Sequence, residues 1–232
     1  DSVLVPVLAF KLCAALEGCE DPAELLEPFG ELAALGTIAD VMPLVGENRT
    51  IVKEGLATLQ DTLRPGLQAL LENAGYAGRP VTAETVSYGL APRLNAAGRM
   101  DTAAVALKLL LCENEEQAAG IAARLSEINT SRQQAEQQIA AAALEKLSAD
   151  PARVLDRVIV VSGEGWHPGV IGIVATRLME NTAAPPLLFR LKTARAAAVG
   201  APPPALTCTP LCALAHRCCC AWRAFRCGGP DH

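Results

Sequence analysis

Long apolar runs are missing from this sequence of 232 residues, although 51% of the residues are hydrophobic. No uninterrupted run approaches the roughly 20 residues that a helix needs to span a bilayer. The opening segment, DSVLVPVLAFKLCAALEGCED, also lacks the basic stretch that begins a signal peptide. We therefore expect no membrane association and a cytoplasmic location. The apolar content is sufficient for a substantial core in one large domain or two small ones.

Basic residues are in deficit over most of the chain. The first 189 residues contain 14 Lys and Arg against 24 Asp and Glu, a formal charge of −10. Residues 190–232 contain six basic residues and only Asp231 as an acid. A net negative charge argues against a broad electrostatic surface for nucleic acid. Any contacts with phosphate groups must therefore be local.

Cysteine is sparse up to residue 207 and crowded after it. Cys13, Cys19 and Cys112 are expected to be reduced, small buried side chains. The other six of the nine cysteines lie in the last 25 residues. This crowding invites a metal-site interpretation, but the triplet Cys218–Cys220 does not have the paired spacing of structural zinc sites.

A displaced reading frame explains the cysteine-rich end better than a metal site does. Leucine codons CTG, read one base late, become TGC, which encodes cysteine, so a displaced LLL would read as CCC. We therefore predict a frame shift between roughly Phe189 and Ala196. Residues 190–232 would then be an out-of-frame, disordered tail without a packed core.

Helices are predicted up to about residue 148. From Asn114, NEEQAAGIAARLSEINTSRQQAEQQIAAAALEKL contains no proline, which predicts one helix of roughly 50 Å. Its polar middle, residues 126–138, cannot be buried on all sides, so it is expected to join two domains. A β-branched run at Val158–Val161, a Gly-rich turn, a helix from about Gly169 and a strand at PPLLF follow. This order is typical of the α/β class.

One carboxylate, Asp40, lies in an apolar context, within LAALGTIADVMPLVGENRT. The backbone here is expected to be buried or nearly so, and a buried carboxylate is costly unless it is paired, hydrogen-bonded or bound to a metal. Asp40 could instead cap a turn before Pro43, or start the helix suggested by ENRTIVKEGLATLQ.

Three polar residues, Arg93, Asn95 and Arg99, occur close together in SYGLAPRLNAAGRMDTA. Guanidinium groups bind phosphate oxygens in a bidentate manner. The small residues between them, AAG at 96–98, would allow a close approach to the backbone of this segment. The alternative is that both arginines pair with the abundant local carboxylates.

The loop SGEGWHPG places backbone N–H groups, Trp166 and His167 at a helix N-terminus that includes Gly169. This arrangement favours anion binding, and the indole ring could stack on a base. The alternative is a tight turn with a packed tryptophan.

Together, GTIADVMPLVGENR, APRLNAAGRM and GEGWHPGVIGIVATRL, with a long helix before the last, resemble RecJ-type single-stranded-DNA exonucleases of the DHH phosphoesterase family. The resemblance runs from about Ala9 to about Phe189. It implies that residues 1–112 are the mostly helical C-terminal part of a DHH catalytic domain and that 113–150 form a connecting helix. Residues 151–189 would start an α/β DHH-associated nucleic-acid-binding domain.

The resemblance also implies a function. Such enzymes hydrolyse phosphodiester bonds of single-stranded DNA from the 5′ end, in DNA repair and recombination, with divalent Mn²⁺ or Mg²⁺. Partners would be single-stranded DNA and a single-strand-binding protein or helicase. Asp40 matches the last metal-binding aspartate of the catalytic domain. Arg93, Asn95 and Arg99 would contact the phosphate backbone, and Trp166, His167 and Gly169 would contact the strand from the second domain.

Other ligands that the resemblance requires are absent from this sequence. There is no DHH motif and no Asp-rich first motif, and both would lie upstream of Asp1. Since two-metal hydrolysis needs a cluster of carboxylate and imidazole ligands, we expect this chain alone to be inactive. The alternatives are an oligonucleotide or cyclic-dinucleotide phosphodiesterase of the same superfamily and a non-catalytic nucleic-acid-binding module.

Overall fold

The chain divides into two compact units in a computed structural model that describes residues 5–19, 21–150, 159–181, 186–192 and 195–200. The first unit is Asp1–Ala141 together with Trp166–Val170, and the second is Ala142–Gly165 together with Ile171–His232. Within the described ranges, no helix combines the length and the apolar character needed to cross a membrane.

The described part of the first unit is helical. Its helices are α1 (Val5–Glu17), α2 (Leu26–Ala39), α3 (Gly46–Gln60), α4 (Pro65–Asn73), α5 (Ala91–Met100), α6 (Ala104–Leu110) and most of α7 (Glu115–Ala149). A 3-10 turn, Pro22–Leu25, precedes α2, and a π-helical segment, Thr85–Leu90, leads into α5. The Asp21 carboxylate caps the 3-10 turn by accepting from the Ala23 N–H at 2.9 Å. Pro65 begins α4 because its missing N–H has no partner at that position.

Two apolar clusters hold the first unit together. The larger is built from α2 to α7 and includes the fully buried Leu59, Leu67 and Leu70. The smaller packs Val7, Phe10 and Ala14 of α1 against residues of α2 and α3. The cysteines expected to be buried, Cys13, Cys19 and Cys112, are free thiols but only half-buried, because they lie at the margins of these clusters.

The long helix predicted from Asn114 is confirmed as α7, with 35 residues. Ala118, Ala122 and Leu125 recur along one face and are fully buried in the larger cluster. Arg132 and Glu136 lie further along, in the polar middle, with their side chains only 12% and 15% exposed. Burial is tolerated there because the two groups form an ion pair at 2.8 Å.

The second unit has the predicted α/β order. Strand β1 (Ile159–Glu164) is followed by α8 (Pro168–Asn181), β2 (Pro186–Lys192) and β3 (Arg195–Gly200). The sheet order is β1-β2-β3, with β1 and β2 parallel and β2 and β3 antiparallel. Helix α8 buries residues at helical spacing, namely Ile171, Val174, Ala175 and Leu178. A helical part followed by an α/β part is therefore confirmed.

Strand backbone at 190–192 and 195–200 differs from the disordered tail predicted to start at residue 190. The two strands pair from Leu187 with Gly200 to Lys192 with Arg195. Antiparallel pairing uses backbone N–H and C=O groups, which any non-proline sequence supplies, whatever its origin. Residues 201–232, with the six crowded cysteines, lie outside the described residues, so the frame shift stays a prediction.

Helix α2 ends in a Schellman motif at Asp40. The Val41 N–H donates to the Ile38 carbonyl at 3.0 Å, and the Met42 N–H donates to the Thr37 carbonyl at 3.2 Å. The motif requires a left-handed residue, usually glycine, and here Val41 has φ +55°. A β-branched residue in this region is strained by about 1 to 2 kcal/mol, and the Val41 side chain, with the residue 86% exposed, gains little from burial.

We expect Val41→Gly to stabilise the chain. Glycine removes the left-handed strain but adds entropy to the unfolded state, so the net gain should be about 0.5 to 1 kcal/mol. Chemical denaturation of the purified chain measures this gain. The matched control is Val41→Ala, which keeps the Cβ and should change stability far less. An equal gain for both variants would show that the strain resides elsewhere.

Candidate nucleic-acid and metal-binding residues

Asp40 is exposed at the C-terminus of α2. The predicted burial holds for Leu35 and Ile38, which are 4% and 6% exposed, but it is wrong for Asp40 and Val41. The reason is the left-handed turn, which directs the chain away from the core after Ala39. Asp40 does not start the next helix either, since Val45 precedes α3. An exposed carboxylate carries no desolvation cost, so it remains available to a ligand.

Oxygen donors such as the Asp40 carboxylate suit Mn²⁺ and Mg²⁺. However, the described part of the chain contains no group of three His, Cys, Asp or Glu side chains placed to hold a metal ion. The described residues thus do not fit a complete metal site. Asp40 can contribute one ligand, and no step of hydrolysis follows from this chain by itself.

Helix α5 separates the three polar residues that lie close together in the sequence. Asn95 and Arg99 are exposed and, four residues apart, occupy the same face of the helix. Arg93 points elsewhere and is half-buried. Its Nη1 donates to the Gly89 carbonyl at 2.6 Å, and its Nε donates to Ser126 Oγ at 3.0 Å. Arg93 therefore connects the π-helical segment to α7.

The alternative in which these arginines pair with carboxylates finds no support among the described residues. Neither Arg93 nor Arg99 forms a salt bridge there. The nearby acid, Asp101, instead pairs with Arg124 of α7 at 2.8 Å. The charge of Arg99 is consequently not neutralised by a carboxylate of the described chain.

In the loop before α8, the two ring side chains behave differently. Trp166 is only 7% exposed, which matches the packed-tryptophan alternative and leaves its ring face little room to stack on a base. His167 is half-exposed and caps α8, because its Nδ1 accepts from the Gly169 N–H at 3.2 Å. An accepting Nδ1 carries no proton, so the neutral ring carries its proton on Nε2, as a donor.

Gly169 lies directly against the end of α5. A Cβ built on Gly169 would overlap the carbonyl oxygen of Arg99. The Arg99 side chain also returns to this residue, with Nη1 at 3.4 Å from the Gly169 carbonyl oxygen, which is long for a hydrogen bond. Trp166–Val170 belongs to the first unit together with α5. The structure thus joins two sequence segments in one surface, the Arg99 patch, defined as Asn95, Arg99, His167 and Gly169.

The three small residues between Asn95 and Arg99 have different surroundings. Ala96 and Ala97 are fully buried in the first unit, and a Cβ on Gly98 would meet only Ala103, at 3.7 Å. A close backbone approach within the first unit is made by Gly169, against Arg99. No local pattern could have shown this, because the contacting residue is 70 positions away.

Comparison with known proteins identifies relatives for most of the chain, although no family model matches it. The single-stranded-DNA-specific exonuclease RecJ of Bacillus subtilis is 40% identical over 194 residues, which are 83% of this chain and 24% of that protein. The crystal structure of RecJ from Thermus thermophilus in complex with Mn²⁺ matches with a TM-score of 0.64 and 41% identity, over 71% of this chain and 24% of that one. The Mg²⁺ complex gives a TM-score of 0.66 and 38% identity, over 78% and 28%.

The chain spans about a quarter of the length of the curated relatives it matches. Identities near 40% extend over more than 170 residues in relatives from several bacteria. The motif order, the helical unit and the following α/β unit agree with these matches. Over most of its length, therefore, the chain is homologous to the RecJ single-stranded-DNA-specific exonucleases.

Proposed function

We propose that this chain is the part of a single-stranded-DNA exonuclease that holds the phosphate backbone of the substrate and supplies one metal ligand. The observation that carries the proposal is the Arg99 patch, where a guanidinium that no carboxylate of the described residues neutralises lies beside the cap of α8. Homology to RecJ exonucleases supports the substrate. The solved relatives with Mn²⁺ and Mg²⁺ support a divalent cofactor.

Charge determines how such a chain can bind DNA. An excess of ten negative charges over the first 189 residues repels a polyanion at long range. Binding must therefore rest on a few well-placed donors. Arg99 uses one of its five N–H donors on Gly169, so the others can reach phosphate oxygens in a bidentate manner. His167 adds the Nε2 donor, and Asn95 adds an amide on the same face as Arg99.

Asp40 would act as a metal ligand together with carboxylate and imidazole groups contributed by other parts of the whole protein. Its exposed position at the end of α2 leaves both carboxylate oxygens open to such an ion. The metal would polarise the phosphodiester and activate water.

The wider role that we propose is hydrolysis from the 5′ end in DNA repair and recombination in the cytoplasm, next to a single-strand-binding protein or helicase. The relatives are named for single-stranded DNA, which favours this substrate over short oligonucleotides or cyclic dinucleotides.

We expect Arg99→Ala to affect DNA binding and Arg93→Ala to affect the stability of the fold. For single-stranded DNA, each phosphate contact contributes about 0.7 to the slope of log K against the logarithm of the salt concentration. Arg99→Ala should therefore make this slope shallower by about 0.7. Arg93→Ala should leave the slope unchanged and cost about 1 to 2 kcal/mol of stability, because two acceptors lose their donor. Fluorescence anisotropy with a labelled oligonucleotide at several salt concentrations measures the slopes, and thermal melting measures the stabilities. If only Arg93→Ala reduced the slope, Arg93 rather than Arg99 would be the residue that contacts phosphate.

Asp40→Ala should abolish hydrolysis without abolishing DNA binding. The test needs a complete protein, for example the Thermus thermophilus RecJ carrying this chain over the matched segment. Since loss of an outer partner of a metal site already costs 10- to 100-fold, loss of a ligand should reduce the rate by roughly 100-fold or more. Nucleotide release from single-stranded DNA in Mn²⁺ measures this rate.

The matched control for this substitution is Asp61→Ala. Asp61 is also an exposed aspartate at a helix C-terminus, that of α3. It should retain the rate of the unsubstituted chimera. Near-normal hydrolysis by Asp40→Ala at saturating Mn²⁺ would show that Asp40 is not a metal ligand and only ends helix α2.

A further inference from the structure

Gly169 occupies a space that is too small for any side chain. Its φ does not lie in the left-handed region, so backbone conformation alone does not demand glycine. The demand comes from packing, since an added Cβ would overlap both the carbonyl oxygen and the carbonyl carbon of Arg99. By contrast, Gly120 in α7 has open space around the position of an added Cβ.

A backbone clash cannot be relieved by a change of rotamer, so the two segments would have to move apart. On one side, α5 is held in place by the fully buried Ala96 and Ala97. On the other side, the loop is held by Trp166, 7% exposed, and by the fully buried Val170. The displacement would therefore fall on the residues next to these anchors, which include Arg99 and His167.

We propose that Gly169 is a positioning residue for substrate binding. Its missing side chain sets the separation between the Arg99 guanidinium and the His167 imidazole, so that both donors meet the backbone of one DNA strand. Gly169 acts here through its neighbours and needs no contact of its own with the DNA. The inference rests on the proposed function of the Arg99 patch.

The test measures single-stranded DNA binding by this chain, and in parallel by the Thermus thermophilus chimera, as a function of salt. Gly169→Ala should weaken binding and lower the salt slope. In the Gly169→Ala background, the further substitution Arg99→Ala should change the slope by less than half of the roughly 0.7 expected in the unsubstituted chain. The control Gly120→Ala should leave affinity and slope unchanged.

A purely structural glycine would give another result. Gly169→Ala would then lower the melting temperature but keep the slope and the full effect of Arg99→Ala, which would overturn the proposal. Trp166 fluorescence, read in a Trp222→Phe background, reports whether the loop has moved. An unchanged emission maximum together with unchanged binding would also overturn it.

A second measurement covers the case in which Gly169→Ala does not fold. Arg99→Ala, His167→Ala and the double variant are then compared in the presence of Gly169. If both donors hold the same strand, the affinity loss of the double variant should be smaller than the product of the single losses. A loss equal to the product would contradict the inference. If the unsubstituted chain and chimera bind no single-stranded DNA, the proposed function itself fails.

Discussion

The backbone contact between Gly169 and Arg99 is the constraint on which the candidate site depends. Seventy residues separate the two positions, and α6 and the long α7 lie between them in the chain. The contact places the cap of α8 beside the end of α5. Without it, Arg99 would be one exposed arginine on an acidic chain, and His167 would be an ordinary helix cap. The contact makes the two residues parts of one surface.

The distribution of charge bears on the proposed binding of a polyanion by this acidic chain. Among the described residues, the acid closest in sequence to Arg99 is neutralised by Arg124 rather than by Arg99 itself. Arg93, the other candidate, is committed to Gly89 and Ser126. In the proposed function, a few placed donors would take over the role of a basic surface.

Elements with strong local patterns could be predicted from the sequence. The long helix α7 follows from a proline-free, alanine-rich stretch, and β1, α8 and β2 follow from a change of period between apolar residues. Helical spacing also places Asn95 and Arg99 on one face and Arg93 on another, although proximity in the sequence suggested a single group of three. Asp101 ends α5 and pairs with Arg124 of α7.

Features set by tertiary packing could not be predicted in this way. The exposure of Asp40 results from a valine in a left-handed conformation that favours glycine, and no sequence rule anticipates that choice. Burial of Trp166 and the role of Gly169 depend on what packs against them. Hydrogen exchange of the chain with and without a single-stranded oligonucleotide tests the central claim most directly. The account predicts that Ala91–Met100 and Trp166–Val170 gain protection together while α6 does not, and protection of only one of the two segments, or of neither, would contradict it.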